Sequence, residues 1–171
     1  MKQFLFVALA AVTIWNVSAG FNGSGMGGST LAAEFIGVAP QAGLIVQKSE
    51  NDFDTTYSRA RAAIEKLNGV RIVNEIDHQK NAEGRGLAMR PARLILFANP
   101  NVGTPLMVAS PAAAVDLPLR MAVYEEKDGT VALAYVDPAF LASRHALPAD
   151  LEQINMLKRG LGSIAAAAVE K

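Results

Sequence analysis

The fold is decided by residues 119–136, which read LRMAVYEEKDGTVALAYV. Leu119 to Glu126 is a strand candidate, and Thr130 to Val136 is its return strand. Between them Lys127-Asp128-Gly129 supplies a turn. Asp-Gly is among the strongest hairpin cues, because the turn residues must take positive φ, which glycine does at no steric cost. Asp116-Leu117-Pro118 leads into the hairpin.

Upstream of the hairpin, Arg93 to Ala98 is nearly all apolar and fits a central strand. Val70 to Asp77 alternates: Val70, Ile72 and Ile76 are expected on one side, Arg71, Glu75 and Asp77 on the other. Gly43 to Lys48 is a short apolar strand. Phe53, Tyr57, Ala60, Ile64 and Leu67 recur at helical spacing after the capping residues Ser49 to Asp52. Gly69 stops that helix, and His78 to Gly86 reads as a helical turn and loop. Asn99-Pro100 opens a short helix that ends near Ser110-Pro111. Asp137-Pro138 again pairs a cap with a proline. Pro148 is expected to open a long helix with Leu151, Ile154, Leu157, Leu161, Ile164 and Ala168 as its buried stripe. Gly160 and Gly162 weaken it locally. The predicted order is β-α-β-β-(short α)-β-β-α. It makes a two-layer α+β sandwich with a mostly antiparallel sheet and two main helices, since each amphipathic element needs one partner layer.

The chain has 171 residues and no cysteine. That length suits one domain. The missing thiols exclude disulfides, iron–sulfur clusters, covalent haem attachment, cysteine nucleophiles and lipid anchoring through cysteine. Basic and acidic residues number 16 each. This balance lacks the concentrated positive charge that holds phosphates, so no nucleic-acid partner is expected.

Residues 1–19 read as a signal peptide. Lys2 gives the positive start, Phe4 to Trp15 is apolar except for Thr13, and Val17-Ser18-Ala19 supplies the small cleavage residues. The apolar run falls short of the ~20 residues that span a bilayer, so no stable membrane insertion is expected after cleavage. Residues 20–40 read as a flexible spacer, rich in Gly, Ser and Asn at first. Residues 41–171 would then be the single domain, located in the periplasm or outside the cell. Gly23, Gly25 and Gly28 fit the spacing G-x-G-x-x-G. The dinucleotide fingerprint needs a core strand before it and a helix after it, and here a signal peptide precedes it.

Five ordered motifs carry a family resemblance. They are Glu75-Ile76-Asp77-His78, then Phe97-Ala98-Asn99-Pro100 with Gly103-Thr104-Pro105-Leu106-Met107, Asp116-Leu117-Pro118-Leu119, Tyr135-Val136-Asp137-Pro138 and Arg144-His145. On these, residues 43–147 resemble the bacterial family called domain of unknown function 302. Ala98 stands where the family pattern has glycine. The resemblance implies a fold similar to the TATA-binding-protein domain, β-α-β(4)-α, and a homodimer. It implies no activity and no DNA binding, since function must be argued from the site.

His78 and His145 are the only histidines, and both fall within those motifs. Imidazole is a common metal ligand and proton shuttle. The candidate ligand-binding set is His78, His145, Asp77, Asn99, Asp116 and Arg144, with His78 and His145 as candidate ligands of a divalent metal. Tyr135 and Asp137 could complete a polar site, although Asn99 and Asp137 also sit in capping positions. Ser58, Ser110 and Ser143 lack the G-x-S-x-G elbow of serine hydrolases. Met89, Met107, Met121 and Met156 sit among apolar neighbours and read as packing. Three functions fit: a non-catalytic exported module binding a small ligand or metal or serving in assembly, an enzyme using His78 or His145 as general acid–base, and a ligand-free structural protein.

Cleavage is expected after Ala19, so mass spectrometry of the exported protein should find Gly20 first. Because Trp15 is the only tryptophan, the processed protein should emit tyrosine fluorescence alone. Indole emission, or full-length chain in the membrane fraction, would refute cleavage.

Overall fold

Residues 42–171 are described in the structure, a computed structural model. The segments read as signal peptide and spacer lie outside them. The elements run β1 (Leu44–Lys48), α1 (Phe53–Glu65), β2 (Arg71–Asp77), α2 (His78–Glu83), β3 (Ala92–Ala98), α3 (Pro100–Ala109), a 3-10 helix (Pro111–Asp116), β4 (Leu119–Glu125), β5 (Val131–Val136), α4 (Pro138–Arg144) and α5 (Glu152–Val169). The five strands form one sheet in the order β1-β5-β4-β3-β2, antiparallel at every pairing. This is the expected two-layer α+β sandwich.

The hairpin closes where the sequence placed it. Gly129 takes φ +84°, and the Asp128 carboxylate accepts a hydrogen bond from the Thr130 amide at 2.9 Å. Across β3, β4 and β5 the period-two alternation puts Ile95, Phe97, Met121, Val123, Leu133 and Tyr135 on one face. They join one core with Ala60 and Ile64 of α1 and Ile154, Leu161 and Ile164 of α5. Full burial of each large aliphatic side chain contributes roughly 1.5–3 kcal/mol. The two helices are tied at one end by polar contacts. The Asn51 side-chain amide donates to the Glu170 carbonyl at 2.8 Å, and the Glu50 amide donates to the Val169 carbonyl at 2.8 Å. Asp52 caps α1, accepting from the Thr55 amide at 2.8 Å.

Two expectations need correction. Pro148 does not open α5. The helix begins at Glu152 after an uncapped Leu151, and residues 148–151 form a turn closed by the Leu151 amide on the Pro148 carbonyl. The helical phase is as expected, with Ile154, Leu157, Leu161, Ile164 and Ala168 buried.

The second correction concerns β2. Its alternation is interrupted by a bulge between Ile72 and Asn74. Ile72 pairs with inward-facing Phe97, whereas Ile76 pairs with Leu94 on the other face. The extra residue, Val73, reverses the side on which the rest of the strand projects. Glu75 and Asp77 therefore point toward α1 rather than away from the core. Tyr57 of α1 donates a short hydrogen bond to Glu75, and Arg61 donates to it at 3.0 Å.

The sheet's other face carries Val46, Ile76, Leu94 and Leu96, all outside the core cluster. Among the described residues both main helices, α1 and α5, pack on the core face.

Candidate functional site

The sheet register separates the candidate residues into two groups. Asp77 ends β2 opposite Arg93, at the end where β5 begins. Asn99, Asp116 and His145 lie at the other end, where β3 and β5 finish and β4 begins. The distance between the ends of such a seven-residue strand is roughly 20 Å. His78 and His145 therefore do not form a shared metal or ligand site. Among the described residues no three His, Cys, Asp or Glu side chains converge as metal ligands.

At the first end Asp77 is a cap. Its carboxylate accepts from the Lys80 amide at 3.0 Å and from Arg93 Nε at 2.9 Å. These two bonds, the backbone one first, hold its pKa below the usual carboxylate value. Arg93 also meets Asp54 at 2.8 Å and stacks over the rings of Phe53 and Tyr57, 5.0 and 5.2 Å from their centroids. The Tyr57 hydrogen bond, more than Arg61, lowers the pKa of Glu75. Burial, then the bond to Glu75, pushes the Tyr57 phenol well up. This network fastens α1 to β2 and β3. His78 is the exposed first residue of α2.

At the second end Asp116 is buried and has one imidazole and two guanidinium groups as neighbours. His145 Nε2 lies 2.6 Å from its Oδ2, and Arg120 and Arg144 each approach Oδ1 at 3.4 Å. His145 is itself buried at the end of α4. The cluster clamps α4 to the segment entering β4. No serine hydroxyl among the described residues bonds to His145. Asn99 and Asp137 act as caps, accepting from the amides of Asn101 at 3.0 Å and Ala139 at 2.8 Å. Tyr135 is buried in the core and adds nothing to a polar site.

A feature that no single motif announced lies beside this cluster. A cavity of about 550 Å³ opens between the start of β2, α3, the Leu117–Leu119 segment and α5. Its floor is buried and apolar, formed by Phe97, Val102, Leu106, Leu157, Leu161 and Ile164. Its rim includes Asn68, Arg71, Val73, Thr104 and Met156, all exposed. Two of the five family-like motifs contribute to it: Phe97 to Pro100 with Gly103, Thr104, Leu106 and Met107, and Leu117 to Leu119. Met107 and Met156 line this cavity, Met121 packs in the core, and Met89 is exposed rather than packed.

Two helical glycines contribute to the cavity wall. Gly103 in α3 and Gly160 in α5 both line it. A Cβ on Gly160 would meet nothing within 4 Å, so no close packing requires glycine there. Glycine inside a helix costs about 0.8–1.0 kcal/mol relative to alanine. What it leaves is room.

Fold and site thus define a small α+β module, one sheet and two main helices, with an apolar cavity of ligand size at one end. The chain belongs to the family described as domain of unknown function DUF302, which matches residues 45–164. It shares the fold of an uncharacterized conserved DUF302 protein from Bacillus stearothermophilus, with a TM-score of 0.65 at 16% identity, over 75% of this chain and 99% of that one. It is 34% identical over 155 residues to the fluoride-specific ion channel FluC 1 of Brucella suis biovar 1, and 36% identical over 106 residues to FluC 2 of Brucella melitensis biotype 1. The matches cover 86% and 62% of this chain, but only 60% and 39% of those proteins. No helix among the described residues is long and apolar enough to cross a membrane.

Replacing Asp116 with alanine should destabilise the fold by about 2–4 kcal/mol, because it strips a buried imidazole of its partner. His78→Ala should stay within about 0.5 kcal/mol, as exposed positions usually do. Urea denaturation of both variants checks this; equal costs would refute the assignment of a clamp to one histidine only.

Proposed function

We propose that this chain is an exported, non-catalytic module that binds a small, largely apolar molecule in the cavity between α3 and α5. The observation that carries the reading is the cavity itself. Its volume, about 550 Å³, lies within the ~300–1,000 Å³ typical of small-molecule sites. Its lining is apolar with a few polar groups at the rim, the composition such sites use. The non-catalytic reading is supported by the lining chemistry: Asn68, Asn99, Thr104 and Arg71 are its polar residues, with no imidazole, carboxylate or serine among them. Export rests on the character of residues 1–19.

The Brucella relatives suggest a setting. They carry the name of a fluoride channel, and this chain matches only part of their length. We infer that the matched part is a module joined to a channel in those proteins, and that this chain carries that module.

We further propose that two copies associate through the sheet face opposite α1 and α5. Antiparallel sheets pack well face to face, and Val46, Ile76, Leu94 and Leu96 supply apolar surface for it. Such an interface typically buries ~1,200–2,000 Å². Light scattering should give a dimer, and Leu96→Lys should give a folded monomer. A monomeric parent protein would overturn this.

For the cavity, a saturating medium-chain alcohol such as 1-decanol should raise the melting temperature. Ligand at 100 times its Kd contributes about 2.7 kcal/mol, worth several degrees in a domain of this size. Gly160→Leu should fold, narrow the cavity and reduce the shift. A parent protein that does not respond, or a variant that responds equally, would overturn the reading.

A further inference from the structure

We infer that the molecule this cavity takes is a single-chain amphipathic carboxylate, with its apolar tail on the Phe97–Leu161 floor and its carboxylate at Arg71. The inference rests on the ligand-binding reading above and goes further by naming the ligand's charge and shape. Arg71 is the only charged residue of the cavity lining. It stands at the first position of β2, paired with Ala98, and it is exposed at the rim.

Among the described residues Arg71 shares the lack of an ion pair with Arg59, Arg85 and Arg159, but it alone of these four lines the cavity. Arg61, Arg90, Arg93, Arg120 and Arg144 each meet a carboxylate. Among the described residues Arg71 has no ion-pair partner. Glu65 and Glu75 share a neighbouring groove with Arg71 and Arg61. Arg61 binds both, each at 3.0 Å. One guanidinium offsets only one of the two charges, but Arg71 makes no ion pair with either acid, and its own fork geometry suits a carboxylate.

The rest of the lining fits the same molecule. Asn68 and Thr104 at the rim offer hydrogen bonds to a polar head. Val73 and Met156 expose 46% and 38% of their surface at the rim, apolar area that the first methylenes of a tail would cover. The buried floor has no charged group that a tail would have to desolvate. A cation would face Arg71 unfavourably, and a multiply charged anion would leave charge unmatched.

Titration calorimetry on the purified protein tests this with octanoate, decanoate, 1-decanol and decyltrimethylammonium. Decanoate should bind about 2- to 5-fold tighter than 1-decanol, the worth of one exposed ion pair. That gap should close in Arg71→Gln and in ~1 M salt, where the Debye length is about 3 Å. Decanoate should exceed octanoate by up to ~10-fold, because two more methylenes are buried. Decyltrimethylammonium should bind weakest, and Gly160→Leu should weaken all four. If 1-decanol matches decanoate, or Arg71→Gln leaves the gap unchanged, the carboxylate assignment falls while the apolar cavity reading stands. If no probe binds, or Gly160→Leu changes nothing, both readings fall.

Discussion

The rest of the molecule depends on one constraint: a five-stranded antiparallel sheet must bury one apolar face, and α1 and α5 are the long helices that cover it. The period of two leaves no freedom in this. Once Met121 and Val123 point inward, Leu133, Tyr135, Ile95 and Phe97 follow through the register. Two helices nevertheless cannot cover the whole face evenly. Toward the end where β3 finishes, the short α3 and the Leu117–Leu119 segment carry the covering layer outward. The gap they leave against α5 is the cavity.

The degree to which the sequence revealed this depends on the range of the physics involved. The hairpin at Asp128-Gly129, the caps at Asp52, Asn99 and Asp137, and the phase of α5 are local, because each depends on a few neighbouring residues. The bulge at Val73 was hidden. Nothing in the local pattern distinguishes a continuous alternation from one with an extra residue, since only the partner strand reveals it. The start of α5 was misread for a related reason. Proline suits a first helical turn but equally well a preceding turn, and the structure uses Pro148 for the latter.

The candidate site was legible as chemistry but not as geometry. Asp116 and His145 stand together in the candidate ligand set, and the structure hydrogen-bonds them to each other. Their separation by 29 residues hid the contact, while His78, similar in type, stands at the far end of the sheet. The cavity was less visible still, because an apolar wall residue and a core residue have the same composition. Gly160 lines the wall while Gly162, equally open, does not, so glycine alone does not mark the difference. A glycine whose missing side chain faces open space costs helix stability with no packing gain.

The position of Asp116 links the clamp to the cavity. The residues that follow it, Leu117, Pro118 and Leu119, form part of the cavity wall. Leu157 and Leu161 of α5 face both that cavity and the small gap next to Asp116. A buried carboxylate held by one imidazole and two guanidinium groups fixes the backbone at the point where the wall begins. Paired buried charge adds little net stability compared with apolar packing, but it tolerates few alternative positions. The wall itself is apolar and could settle in several ways, so its shape has to be imposed from outside the hydrophobic contacts. The clamp is therefore best understood as setting the geometry of the cavity rather than as a reactive pair. This accounts for both features appearing within one run of four residues.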